Sequence, residues 1–303
     1  MRARRGGEIV LNIHILTLLF VTLVWGATFP ILKIATVHLS GLEVSTLRFL
    51  IGAVFMLPFA LRAPKHTWRD GGWLGLIVLI SYVSQAYGLE HISSNRSAFL
   101  TSLNVLMVPL IGILLGARPT VMVFAAALIA VGGIGLMSWD GGAHFWGDAA
   151  TVLGALAYAV DVILLAKVAK RHVAHQLAAT QIIWMAIMGS IWMVLHSLGT
   201  DRLETLPQRI DGTVLAGLFY LGVIAGAGML FLQALAQRHV TADKAALVYA
   251  MEPVFAALFA WMWLGEMLTV QAAIGGAMVV TAVILSELPY FKPAANRPAE
   301  ASG

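Results

Sequence analysis

The chain has 303 residues, of which 60% are hydrophobic and only 11% charged, and its mean hydropathy is +0.87. A water-soluble domain of this size cannot carry that balance, so the sequence reads as a polytopic membrane protein. Its 19 basic residues give a formal charge of +4 but are spread too thinly to track phosphates, which excludes a nucleic-acid partner, and zero cysteines exclude disulfides and thiolate chemistry.

A bilayer core of about 30 Å needs roughly 20 apolar residues in helical form. Ten stretches of that kind follow one another, at 11–32, 42–61, 71–89, 97–116, 119–138, 148–168, 176–198, 212–236, 244–265 and 270–288. The first follows Arg2, Arg4 and Arg5, but it is too long for a signal peptide and lacks a cleavage site. The fourth and fifth are joined only by Ala117 and Arg118, which predicts a tight hairpin. The tail from Pro289 to Gly303 has no apolar period and is expected to be disordered. The predicted division is therefore a terminal segment 1–10, a five-helix unit 11–138, a linker 139–147, a second five-helix unit 148–288 and the tail 289–303.

Lys and Arg in the connecting segments set the expected orientation. Fourteen lie at the amino terminus, in the even-numbered connections and in the tail, against four (Lys33, Arg96, Arg202 and Arg209) on the other side. Both termini are thus expected in the cytoplasm. Displacing the chain by 148 residues aligns Gln85 to Asn104 with Gln233 to Glu252 without a gap, pairing Gln85 with Gln233, His91 with His239, Ser93 with Thr241 and Arg96 with Lys244. Five spans separate the copies. An odd number reverses the direction of entry, so the halves are expected to be inverted repeats with a shared interface at mid-depth, where carriers bind substrate.

Trp25-Gly26-Ala27-Thr28-Phe29, Arg48-Phe49, Glu252-Pro253 and Leu264-Gly265-Glu266 resemble the EamA-type members of the drug/metabolite transporter superfamily, over residues 11 to 288. Within it the chain is most similar to the aromatic amino acid exporters of the bacterial inner membrane, those named YddG. The resemblance implies ten helices in two inverted repeats, a central cavity and outward movement of small metabolites. Ala117-Arg118-Pro119 stands where the second half has Gly265-Glu266-Met267, so the Gly-Glu signature occurs once.

Polar residues are costly in hydrocarbon, so each should face protein or water. Ser97, Thr101 and Asn104 share one helical face, and their counterparts are Ala245, Tyr249 and Glu252, which predicts two inward stripes with Asn104 opposite Glu252. Glu252 can take an ammonium group or a proton, or hold helices together as an ion pair. Tyr158 and Asp161 share a face, as do Tyr82 and Gln85, and Gln233 repeats Gln85. Asp161 is expected to point inward and to touch substrate or to pair with Arg48 or Lys167. Trp25, Tyr82, Tyr158 and Tyr249 are candidates to wall a pocket and stack on a ring or a cation. Pro30, Pro109 and Pro253 are candidate hinges.

Gly112 and Gly116, Gly222 and Gly226, and the pairs Gly132-Gly133 and Gly275-Gly276 read as packing positions. Trp68, Trp73, Trp139, Trp146, Trp261 and Trp263 fall near span ends and read as interface belts. His172 and His175 lack accompanying carboxylates and read as a solvated turn, not a metal site. No inward Ser lies at helical spacing from an inward His, so an enzyme is not expected, nor is any cofactor. The short, interrupted polar stripes argue against a channel. The expectation is a monomeric secondary carrier exporting aromatic and other neutral amino acids, with substrate and lipid as its partners. The alternative cargo is a hydrophobic cation or other drug-like metabolite.

Overall fold

In the computed structural model, residues 13–92, 94–138, 144–264 and 269–287 are described. Arg2, Arg4, Arg5, Ser93, Trp139, Gly265, Glu266, the side chain of Trp263 and the tail from Pro289 lie outside that description. All regular structure among the described residues is helical. The first half comprises α1 (Ile13–Gly26), α2 (Thr28–His38), α3 (Gly41–Ala60), α4 (Lys65–His91), α5 (Ser94–Ser102), α6 (Asn104–Leu114) and α7 (Val121–Ser138). The second comprises α8 (Phe145–Val168), α9 (Ala174–Ser197), α10 (Gly212–Phe219), a π-helical segment Tyr220–Gly228, α11 (Met229–Ala236), α12 (Ala242–Tyr249), α13 (Glu252–Leu264) and α14 (Val270–Glu287).

Seven helical stretches among the described residues are long and apolar enough to cross a membrane, and Val121–Leu136 and Val270–Leu285 are shorter apolar helices. About half of each long stretch is buried inside the bundle. The remainder presents large apolar side chains such as Phe20, Val54, Leu128, Ile191 and Ile284 outward. Exposing such residues is unfavourable in water and costs nothing against acyl chains, so the surface itself identifies a multi-pass membrane protein.

Three helices are interrupted. The chain turns at Ala27 between α1 and α2, at Leu103 between α5 and α6, and at Ala250–Met251 between α12 and α13. Met251 stands 148 residues after Leu103, and the starts of α12 and α13 lie 148 residues after those of α5 and α6, the same displacement that aligns the sequence. Pro30 and Pro253 sit in the first turn after their breaks, where a missing N–H costs no helical bond. Pro109 lies inside α6, with the interruption at Leu103 more than a turn earlier.

The contacts between halves are reciprocal. α8 packs on α5 and α6, and α1 packs on α12 and α13; α9 packs on α4, and the π segment packs on α3. α3 meets α9, and α7 meets α14, where a Cβ on Gly133 would sit 2.5 Å from the carbonyl oxygen of Gly275. The π segment comes equally close to α3: a Cβ on Gly222 would lie 2.2 Å from the carbonyl oxygen of Arg48. These glycines do pack backbones together. Gly116 does not, because its φ of +84° serves the turn after α6 and nothing lies within 4 Å of its Cβ position. That turn occupies residues 115–120, longer than the two-residue hairpin expected, because α6 ends at Leu114 and α7 starts at Val121.

At one end of the bundle Ser40 and Glu43 form a capping box that starts α3. Glu43 also accepts a two-pronged contact from Arg209, at 2.8 and 2.7 Å, and this carboxylate holds the Arg209 guanidinium above its ordinary pKa. Arg96 on α5 grips Asp148 on α8 in the same way, at 2.6 and 2.8 Å. Lys33 donates to the carbonyls of Leu89 and Ile92 at the end of α4, at 2.6 and 3.2 Å, which satisfies acceptors that the helix end leaves open. At the opposite end His172 is buried and not a solvated turn: it contacts Thr67 at 2.8 Å and Asp70 at 2.9 Å, stacks on His66, and its loop carbonyls accept from Arg238. Trp68 is half-buried against Trp184, its carbonyl accepting from that indole, whereas Trp73, Trp146 and Trp261 are exposed.

Candidate functional site

Midway along the bundle the helix breaks of α1, α5 and α12 converge with the π segment around one cavity. It is lined by Trp25 and Thr28 at the first break, Arg48 and Phe49 on α3, Ser81, Tyr82 and Gln85 on α4, Thr101 on α5, Tyr158 on α8, Leu221, Ala225 and Gly226 in the π segment, and Glu252 at the start of α13. Both halves contribute walls. The cavity has a volume of only about 30 Å³. That is room for roughly two waters and too little for a metabolite, so substrate enters only if the walls part.

The aromatic wall of Trp25 and Tyr158 is backed by Tyr249, which completes a three-ring cluster. Trp25 lies 6.0 Å from Tyr158 and 5.6 Å from Tyr249, and the two tyrosines lie 5.7 Å apart, spacings typical of tilted and edge-to-face pairs. The break after Trp25 lets α1 reach across to the other half. Trp25 Nε1 donates to the carbonyl of Ala225 at 2.9 Å, Tyr220 donates to the carbonyl of Val24 at 2.9 Å, and a Cβ on Gly26 would lie 2.7 Å from Phe255 Cβ on α13. Only glycine permits that approach.

The polar wall sets Arg48 on α3 in the same cavity as Glu252 at the start of α13. Arg48 is 3% exposed, with its guanidinium carbon 4.7 Å from the Phe49 ring centre and 4.1 Å from that of Tyr82. Its Nε has no hydrogen-bond partner. The expected pairing with Asp161 does not form: Asp161 is fully buried, does not line the cavity, and neither of its carboxylate oxygens accepts a hydrogen bond. The aromatic rings of Phe49 and Tyr82 hold the guanidinium instead. Lys167 is exposed at the far end of α8 and does not reach Asp161 either.

Of the residues singled out in the sequence, Trp25, Tyr82, Gln85, Thr101, Tyr158 and Glu252 line the cavity together. Gln85 Nε2 donates to Thr101 Oγ1 at 3.2 Å, joining α4 to α5 across the wall. Asn104, Asp161, Gln233 and Tyr249 are buried but do not line it. Asn104 turns back to donate to the carbonyl of Thr101 at 2.9 Å, and no hydrogen bond joins it to Glu252. Unsatisfied atoms remain on Asn104, Ser97, Gln233, Tyr158 and Tyr249, an unusual concentration of polar groups for a hydrocarbon-depth interior. Sequence reading missed Thr28, Phe49, Ser81 and the π-segment residues as lining. The sequence marks Arg48 only as an ion-pair candidate for Asp161 and not as a lining residue, and nothing in a Gly-rich apolar run announces a π turn.

A second hollow opens between α6, α8 and α12. It is lined by Arg118, Lys167, Lys170, Thr241, Asp243 and apolar neighbours, and its volume is about 570 Å³.

A helical bundle with an apolar outer surface, enclosing a small polar and aromatic cavity, is the architecture of a multi-pass membrane protein. The EamA-like transporter family matches the chain twice in succession, over residues 12–139 and 145–288, and the chain belongs to that family within the drug/metabolite transporter superfamily. It is a transporter. Among its relatives is a protein of Archaeoglobus fulgidus named an uncharacterized transporter, 27% identical over 95% of this chain and 90% of its own length. Another is the uncharacterized transporter YoaV of Bacillus subtilis, 21% identical over 91% of this chain and 97% of its own. A crystallised protein shares the fold with a TM-score of 0.72 at 16% identity, covering 90% of this chain and 96% of that one.

Proposed function

We propose that the protein is a secondary exporter of amino acids, aromatic and other neutral ones, working by alternating access in the bacterial inner membrane. Its ten spans form two inverted five-helix repeats with both termini in the cytoplasm. The reciprocal packing of the halves, the helix breaks displaced by 148 residues, and the fourteen-to-four distribution of basic residues support that arrangement. The observation that carries the substrate reading is the cavity itself: Trp25, Tyr82 and Tyr158 supply ring surfaces beside Thr28, Ser81, Gln85 and Thr101, and both halves wall it.

The basic end, with its hollow of about 570 Å³, is the cytoplasmic entrance in the conformation described, and the Arg96–Asp148 and Arg209–Glu43 ties close the periplasmic end. Rocking of the halves moves the cavity between the two openings, with the breaks at Ala27, Leu103 and Ala250–Met251 absorbing the bend. Reconstituted vesicles offered a panel of amino acids test this reading. Saturable counterflow of phenylalanine is expected, and a protein that moves no amino acid overturns the assignment. Proton exchange, if present, should uncouple in Glu252→Gln or Asp161→Asn; normal transport by both at every pH makes those acids structural.

A further inference from the structure

The cavity contains a cation that no carboxylate among the described residues neutralises. Arg48 is nearly inaccessible from outside, yet no carboxylate among the described residues pairs with it. A guanidinium withdrawn from water normally requires an acceptor, because its five N–H groups lose their hydration together. Phe49 and Tyr82 compensate in part through their ring faces. Ring faces fix the side chain without accepting hydrogen bonds from its N–H edge, and Arg48 lines the cavity. Asp161, the acid that would neutralise it, is buried elsewhere with both oxygens unsatisfied. Glu252 lines the same cavity and makes no ion pair with Arg48.

We propose that Arg48 is the anion anchor of the transport site, and that the cavity is built for a dipolar substrate whose carboxylate docks on Arg48 while its ammonium group faces Glu252. The proposal rests on the transport reading above and sharpens it by assigning the polarity of the cargo. Planar and forked, a guanidinium matches a carboxylate with two parallel hydrogen bonds, a geometry that a lysine ammonium does not offer. Gly222 supports the anchor from behind, since the π segment touches the Arg48 carbonyl only because no Cβ intervenes. A lipophilic cation would meet like charge in a site of low dielectric, so Arg48 selects against the alternative cargo.

The test compares three molecules of one shape in vesicles holding the full chain: phenylalanine, phenethylamine, which lacks the carboxylate, and 3-phenylpropionate, which lacks the ammonium group. Wild-type protein should carry phenylalanine in strong preference to the other two. Arg48→Gln should lower the apparent affinity for phenylalanine by roughly 30-fold or more while sparing phenethylamine, the loss expected when one partner of a buried charge pair is removed. Arg48→Lys keeps the charge and guards against misfolding. It should fall between the two, with affinity lost more than maximal rate. Equal transport of phenethylamine and phenylalanine by wild type, or an unchanged preference in both variants, overturns the anchor and leaves amino acid transport standing. Failure of wild-type protein to move any of the three overturns both.

Discussion

The two ends of the bundle are fastened by different chemistry, although the helices that meet there are related by exchange of the halves. At one end the ties across the halves are guanidinium–carboxylate forks, Arg96 with Asp148 and Arg209 with Glu43, all at 2.6 to 2.8 Å. At the other, the related position near the starts of α4 and α9 holds His172 between Thr67 and Asp70, and the gap between α6, α8 and α12 stays open, with no ion pair among the described residues crossing it. Apolar packing is shared by both ends and so cannot prefer one opening over the other. In the proposed exporter, the preference resides in a few polar residues that differ between the two halves.

The most severe way to break this asymmetry is to make one tie permanent. The chain has no cysteine, so the pair Glu43→Cys and Arg209→Cys is chemically unique. Joining the two thiols with a bismaleimide spacer should abolish counterflow, while the unjoined double variant remains active. A linked protein that transports at the unlinked rate refutes the need for this end to open.

Loosening the tie should act in the opposite sense and less completely. Glu43→Gln or Asp148→Asn leaves a partly buried guanidinium without its charged acceptor, a loss of about 1 to 3 kcal/mol for a partly exposed charged tie, of which every 1.4 kcal/mol borne by the closed state alone shifts the conformers tenfold. The measurement is the reactivity of a single Lys167→Cys at the opposite hollow toward a water-soluble maleimide, which should fall as that end closes. Exchanging the charges, with Glu43→Arg and Arg209→Glu together, should restore part of it.

Smaller effects separate the packing glycines from the turn glycine. Gly222→Ala would force a methyl group to within 2.2 Å of the Arg48 carbonyl oxygen and should cost about 1 to 3 kcal/mol by overpacking, seen as a lower melting temperature in detergent. Its effect should extend to transport, because Arg48 moves with α3. Gly116→Ala meets nothing within 4 Å and should cost only the left-handed backbone preference, about 1 to 2 kcal/mol, with transport retained. Equal loss of transport in both variants would mean that the π-segment contact has no special bearing on the site.

Much of this protein was fixed along the chain. Twenty-residue apolar runs require helices in lipid, the shift of 148 residues finds the matched helix breaks, and Trp25, Tyr82, Gln85, Thr101, Tyr158 and Glu252 stand out as large or polar groups in apolar surroundings, each of which lines the cavity. Which of the remaining polar residues reach it depended on the fold. Asp161 and Tyr158 share a helix face, yet only Tyr158 lines the cavity, and Arg48 lies against Tyr82 instead of the acid that charge alone would choose. The reason is physical. A soluble helix shows its buried face by contrast with a polar one, whereas here lipid and interior are equally apolar, so the periodicity that marks an inner face is erased. Rotation about each helix axis, the π turn that brings Gly222 onto α3, and the choice of open end are settled by close packing and by a few ion pairs between residues distant in sequence, and those exist only once the halves have met.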